Sequence, residues 1–201
     1  SYIDADQGRL EQSEALLAES LSTAASLPPS AGLGDQLSHS ATRLATLQVW
    51  MMREAQYDTT CRQMLRCVTN QPLPSAAERV AKLTSFRPHT NPQFLETALA
   101  LAHRAVESGR NHRYFRWYQL SLGMAEYRNS HYPEADTVLK MAELGDATTW
   151  RPELRSRIAR FYRAMSLYRQ GQHAAARQLF DQTEALIQPP PAQGQWPLSE
   201  G

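Results

Sequence analysis

Lysine is almost missing from this chain of 201 residues: Lys82 and Lys140 are the only two among its 21 basic side chains. Arginine supplies the rest, and its planar fork suits bidentate pairing with carboxylates or phosphates, although coding bias is the plainer account of its abundance. Cysteine is as scarce. Cys61 and Cys67 are the only two, and on one helix they stand about 9 Å apart along the axis and about 240° around it. A disulfide between them is excluded, and a reduced, cytoplasmic setting is the expectation. No run of about 18 apolar residues occurs, so no membrane segment is expected. The opening Ser1-Tyr2-Ile3-Asp4 lacks the basic-then-apolar pattern of a secretion signal. Without an initial Met, the chain reads as a piece of a longer protein. An excess of charge is missing too: 21 basic against 20 acidic groups leave a net charge of +1, which gives no field to draw the chain to nucleic acid or to a lipid surface.

The motifs of catalysis are also absent. Gly32-Leu33-Gly34 has neither the third glycine of a dinucleotide fingerprint nor the Gly-Lys-Ser/Thr of a phosphate loop. There is no His-Arg-Asp and no Asp-Phe-Gly of a kinase. The histidines at 39, 89, 103, 112, 131 and 173 form no pair at ligand spacing on a helix, and no cysteine completes a zinc set. Neither cysteine has an adjacent histidine to activate it, so both read as buried helix residues. No catalytic residue, cofactor, metal or small-molecule substrate is expected.

The chain does carry punctuation and period. Prolines cluster at 28–29, 72–74, 88–92, 133, 152 and 189–197. The stretches between are nearly free of them and are allowed to be helices, because proline is tolerated in a first turn and not in an interior. Asn91-Pro92 reads as an N-cap followed by a first-turn proline. Apolar residues recur at helical spacing, as at Leu95, Ala98, Leu99, Ala102 and Val106. About nine helices with short connections are expected, in antiparallel pairs, and no alternating strand pattern competes.

The sequence also matches itself. Residues 123–135 and 164–176 align at an offset of 41, with identities at Met124/Met165, Tyr127/Tyr168, Arg128/Arg169 and Ala135/Ala176. Gly123/Ala164, Ser130/Gly171 and Leu139/Phe180 match in kind. Weaker copies precede them. Taking Ser13, Thr60, Ala98, Ala135 and Ala176 as equivalent gives spacings of 47, 38, 37 and 41, or four repeats after a half repeat that contributes only its second helix. A unit that cannot bury its own apolar face stacks on copies of itself.

The order of small residue, aromatic, glycine turn, alanine and large apolar residue resembles the tetratricopeptide repeat (TPR). That resemblance implies an all-α, right-handed α-α superhelix, a TPR-like solenoid, over residues 1–188, with 189–201 as a Pro-rich extended tail. The spacings exceed the usual 34 of the class, so its helices or loops must be extended. Over residues 53 to 187 the runs Tyr57–Leu65, Ala77–Lys82, Ala98–Ala102 and Ala125–Arg128 are similar to the helical repeat region C-terminal to the kinase domain in some bacterial serine/threonine protein kinases. The resemblance implies a regulatory or docking appendage, with the catalytic machinery elsewhere.

In this class the first helix of each repeat lines the concave face. Carried over, the partner-binding candidates are Trp117, Met124, Tyr127 and Arg128, then Ile158, Met165, Tyr168 and Arg169, of the aromatic, Met and Arg types that anchor partners. Leu120 and Phe161 share that stripe and read as core. Members of the family that grip acidic C-termini of chaperones use Lys, Asn and Arg there; this chain has aromatic or Met residues instead, so such peptides are not expected to bind. A protein or peptide partner is the expectation. The alternative is a nucleic-acid-binding helical repeat using Arg151, Arg155, Arg157, Arg160 and Arg163, with Arg110, Arg113 and Arg116 on the helix before. Glu126, Glu143, Asp146 and Glu153 are near enough in sequence to pair with those arginines instead. In the tail, Trp196 is a candidate to fold back onto an apolar groove.

Overall fold

The computed structural model describes residues 10–26, 31–68, 73–144 and 151–187. The Pro-rich tail with Trp196 lies outside them, as does Asp146. Among the described residues there are nine helices and no strand: α1 Leu10–Ala25, α2 Ala31–Trp50, α3 Glu54–Val68, α4 Pro74–Thr84, α5 Pro92–Ser108, α6 Phe115–Arg128, α7 Tyr132–Glu143, α8 Pro152–Arg169 and α9 His173–Glu184. The proline clusters open helices: Pro74, Pro92 and Pro152 are each the first helical residue, where a missing N–H costs nothing. Asn91 caps α5 by accepting from the Gln93 amide at 3.0 Å. No helix among them is long and apolar enough to cross a membrane.

After the half repeat α1, the chain forms the pairs α2/α3, α4/α5, α6/α7 and α8/α9. Each first helix packs on the first helix of the next pair, α2 on α4, α4 on α6 and α6 on α8, whereas α5, α7 and α9 do not touch one another. First helices therefore crowd together on the inner side, and from α5 onward second helices splay outward, while α1 still touches α3 and α3 touches α5; this is the curvature of a right-handed TPR-like solenoid. The five equivalent positions Ser13, Thr60, Ala98, Ala135 and Ala176 all lie buried on second helices, where a small side chain lets neighbouring helices approach. Residues Trp117 to Glu126 of α6 are buried without interruption, because that helix has neighbours on every side.

The two best-matched repeats end their first helices alike. His131 N–H donates to Glu126 C=O and Gln172 N–H to Leu167 C=O, both at 3.0 Å, the six-to-one bond of a Schellman turn. The residue at the bend has φ +66° at Ser130 and +79° at Gly171. Glycine adopts that conformation freely and serine does not. Ser130→Gly is expected to raise the unfolding free energy by about 1 kcal/mol, read as a higher urea midpoint at unchanged slope. Gly123 is needed for closeness instead: a Cβ there would stand 2.4 Å from Leu139 Cγ.

The C-terminal end of α4, in the second repeat, is where the other three repeats meet it. Tyr57 of α3 donates its hydroxyl to Leu83 C=O at 2.7 Å, and Tyr162 of α8 donates to Ser85 C=O at 2.7 Å. Arg128 of α6 gives Nε to Ser85 C=O at 2.8 Å and an Nη to Phe86 C=O at 2.9 Å. A cation at the last carbonyls of a helix satisfies orphan acceptors and complements the helix dipole. Earlier along α4, buried Glu78 holds Lys82 Nζ at 2.6 Å and accepts from Ser121 Oγ of α6 at 2.7 Å.

His89 stacks on Tyr57 with ring centroids 5.4 Å apart and meets Phe94 edge-on. Its Nδ1 lies 3.3 Å from Asp58, while Nε2 is buried without a partner. Burial holds the imidazole below its ordinary range, against the opposing pull of Asp58, so the contact to Asp58 is a hydrogen bond from a neutral ring. The folded chain thus resists a proton that the unfolded chain accepts. Stability is whole above about pH 6.5 and falls as pH drops from there through the lowered folded value, by at most about 1.4 kcal/mol per unit. Urea unfolding at pH 7.5 and 5.5 is expected to show a loss on acidification that is smaller in His89→Gln.

Candidate functional site

The eight residues expected on the concave face fall into three environments. Trp117 and Met124 are core, exposed only 7% and 2%, because α6 is enclosed by α4, α5, α7 and α8. Arg128 is turned back onto the end of α4. Tyr127, half-buried, sits between Tyr132 and Tyr162 at ring distances of 5.6 Å. Ile158 is half-buried against the core. Only Met165, Tyr168 and Arg169, near the end of α8, combine with Tyr127 around open space.

That space is a groove of about 480 Å³ between α8 and α9. Its apolar floor comes from Met165, Ala176 and Phe180, with Tyr127 and Tyr168 on its walls; Arg169, His173 and Arg177 bring basic groups to it. Tyr168 is 61% exposed and packs edge-on against His173 with centroids 4.7 Å apart. Arg169 lies over the Tyr132 ring at 5.1 Å. Phe180, 41% exposed, meets Phe161 edge-on at 5.5 Å. The sequence reading misses His173, Ala176, Arg177 and Phe180 because it confines the surface to first helices, although the Leu139/Phe180 match is a signal that points to the second.

A larger groove of about 650 Å³ separates α1 from α3. Charged and amide groups line much of it, including Glu11, Glu14, Gln48, Arg53 and Gln56. Arg53 reaches both Glu11, at 4.0 Å, and Glu14, at 3.8 Å, so its charges answer one another and its floor offers no comparable aromatic anchor.

The arginines of the alternative reading are engaged within the fold. Arg155 is buried and donates Nε to Ala142 C=O at 2.9 Å. Arg163 bridges Asp136 at 2.9 Å and Glu143 at 2.5 Å, and Arg160 meets Glu143 at 3.3 Å. Arg157 donates to the carbonyls of Glu153 and Leu186, and Arg151 too has a partner. Arg116 donates to Gln119 Oε1 and Met141 C=O. Arg110 and Arg113 are not on a helix as expected; they lie in the connection after Gly109, where α5 has ended, and Arg113 rests over the Tyr114 ring at 4.6 Å. Glu143 does pair with the arginines of α8, whereas Glu126 answers His103 at 3.2 Å and His131 at 2.7 Å.

Both cysteines are free. Cys61 is fully buried, and burial pushes its thiol up to about 12, which keeps it protonated and unreactive at neutral pH. Among the described residues no three of His, Cys, Asp and Glu gather where they could hold a metal ion.

No family model and no curated protein matches the chain. Among solved structures, it is similar to the nearly identical TPR-like repeats of a putative kinesin light chain from Podosopora anserina, with a TM-score of 0.54 and 18% identity over 92% of this chain and 90% of that one. A likeness at that identity speaks for the fold, and it agrees with the stacking of helix pairs described above.

Proposed function

We propose that this chain is a non-catalytic protein-interaction scaffold whose docking surface is the groove between α8 and α9. The observation that carries this reading is the gathering of exposed Tyr168 and Phe180, half-buried Met165 and Tyr127, and Arg169 around one open groove. Large exposed aromatic and Met side chains with arginine beside them are the composition of interface anchors. The core positions Trp117 and Met124 and the capping Arg128 support the scaffold, while Ile158 and the groove residues face or underlie the surface.

The finer reading is a regulatory or docking region C-terminal to a bacterial serine/threonine kinase domain, in the cytoplasm. It rests on the resemblance of residues 53 to 187 to such regions. The engaged arginines leave little for a phosphate backbone, which speaks against nucleic-acid binding through them.

The test is affinity capture with the wild-type chain beside Tyr168→Ala/Arg169→Ala. Both side chains are exposed, so the variant is expected to keep the wild-type circular dichroism and melting temperature. At least one specific partner should be depleted tenfold or more from its capture. Identical captures at matched folding would remove the groove as the docking surface.

A further inference from the structure

The larger groove has a helix on either side, α1 and α3, and a floor of buried Leu44 and Gln48 from α2. Gln48 is 2% exposed, and its Oε1 accepts from Thr60 Oγ1 at 2.9 Å. The amide nitrogen has no partner among the described residues, yet it keeps contact with the groove that Gln48 lines. Turning the amide over would leave the oxygen open in its place. Buried polar groups are nearly always hydrogen-bonded, so one end of this amide is available to a ligand. Glu14 offers a second group. Its side chain is 12% exposed, and its charged partner among the described residues, Arg53 Nε, stands 3.8 Å away, beyond hydrogen-bond reach. Glu11 lies 4.0 Å from the same guanidinium.

Along α3, Gln56, Thr59 and Gln63 line the same groove at i, i+3 and i+7, the spacing of one helix face. Neither glutamine side chain has a hydrogen bond among the described residues. The two stand about 10.5 Å apart along the axis, the length of about three residues of extended peptide at about 3.3 Å each. The rest of the lining tells against other ligands. It holds no aromatic ring to stack on a sugar or a base, and Leu44, Ala15, Ala18 and Ala55 are its apolar members, too few to seat the stripe of an amphipathic helix. Two carboxylates against one guanidinium repel a phosphate. A peptide group, with its N–H and C=O side by side, is the complement of a glutamine amide.

We propose that the groove between α1 and α3 is a second binding site, separate from the one between α8 and α9, and that it takes an extended peptide segment carrying a lysine or arginine. Gln48, Gln56 and Gln63 hold the main chain of that segment whatever its sequence, and Glu14 receives the basic side chain in competition with Arg53.

The probe is the blocked peptide acetyl-Ala-Ala-Lys-Ala-Ala-amide, titrated into the full 201-residue chain labelled with nitrogen-15 and followed by NMR at the glutamine side-chain amides. The Gln48 and Gln63 amides are expected to shift and saturate. The same peptide with norleucine or glutamate in place of lysine should bind at least tenfold more weakly. Glu14→Gln in the chain should remove the preference for lysine, and Gln56→Ala/Gln63→Ala should weaken all three peptides alike, both at unchanged melting temperature. No saturable shift, equal binding of the three peptides, or a lysine preference that survives Glu14→Gln overturns the proposal. So does lysinamide alone shifting Gln48 as strongly as the peptide, which would make this a site for a small cation. A tenfold gain in affinity on removing residues 1–9 would assign the groove to the chain's own N-terminal segment and overturn it likewise. Tyr168→Ala/Arg169→Ala should leave the titration unchanged, so that this site and the groove between α8 and α9 stand or fall separately.

Discussion

Arg155→Ala is expected to lower the unfolding free energy by about 3 kcal/mol, one of the largest single-residue losses in the chain. The side chain is 1% exposed and gives Nε to the last buried carbonyl of α7, Ala142 C=O, at 2.9 Å. Truncation removes a long stem from the α7–α8 contact, at about 0.8 kcal/mol per buried methylene. It also leaves a buried carbonyl without its donor, at about 1 to 3 kcal/mol. For a domain of this size, about 3 kcal/mol corresponds to a fall of roughly 6 to 12 °C in melting temperature. Arg155→Lys keeps charge and stem but not the Nε donor, and is expected to lose about 1 kcal/mol. Equal melting of wild type and Arg155→Ala would show that the α7–α8 contact does not depend on this side chain.

Gly123→Val is expected to cost about 3 kcal/mol, against the direction of helix propensity. In an exposed helix, replacing glycine with a residue bearing a Cβ gains stability. Here that Cβ would fall 2.4 Å from Leu139 Cγ and 2.6 Å from one of its methyls, in a core already at close packing. Leu139→Ala alone, at a fully buried site, should lose about 2 to 5 kcal/mol through the cavity it leaves. The two changes meet in the same space, so the double variant is expected to lose at least about 1 kcal/mol less than the sum of the singles. Chemical denaturation of the four proteins measures this. Strict additivity would mean that Gly123 and Leu139 do not share that space. The fourth repeat carries Ala164 and Phe180 at the matched positions.

The architecture was legible because repetition writes the same packing demand several times. Small residues at Ser13, Thr60, Ala98, Ala135 and Ala176 mark second helices for one physical reason, and prolines at helix starts mark boundaries. The surface was less legible, because identical residues acquire opposite roles according to whether a further helix packs on them. Tyr127 and Tyr168 are the same residue at the same repeat position, yet the first is packed against Tyr162 of the next repeat and the second is open. Arg128 and Arg169 differ likewise: one reaches carbonyls some 43 residues earlier in the chain, a contact that no local pattern encodes. The run of arginines on α8 reads as a basic face for the same reason, since helical period places Arg160 and Arg163 on the helix but not the acids of α7 that they meet. A lack of proline around Arg110 and Arg113 predicts a helix there; α5 instead ends at Gly109, where the ring of Tyr118, nine residues on, occupies the place of a Cβ.

The hydrogen bond from Tyr162 to Ser85 joins residues 77 positions apart, and it passes over an entire intervening repeat. Linear arrays are ordinarily described as beads whose free energies depend on adjacent beads alone, so that they open from an end one unit at a time. A tie between the second and fourth units breaks that scheme. When α8 detaches, the end of α4 loses a donor and Arg128 loses one of the two aromatic rings beside it, so opening at the C-terminal end should propagate inward past the next boundary. The chain from α4 to α9 is therefore expected to melt as one cooperative block, and amide exchange at Ser85 and Phe86 should track that of α8 more closely than that of α5.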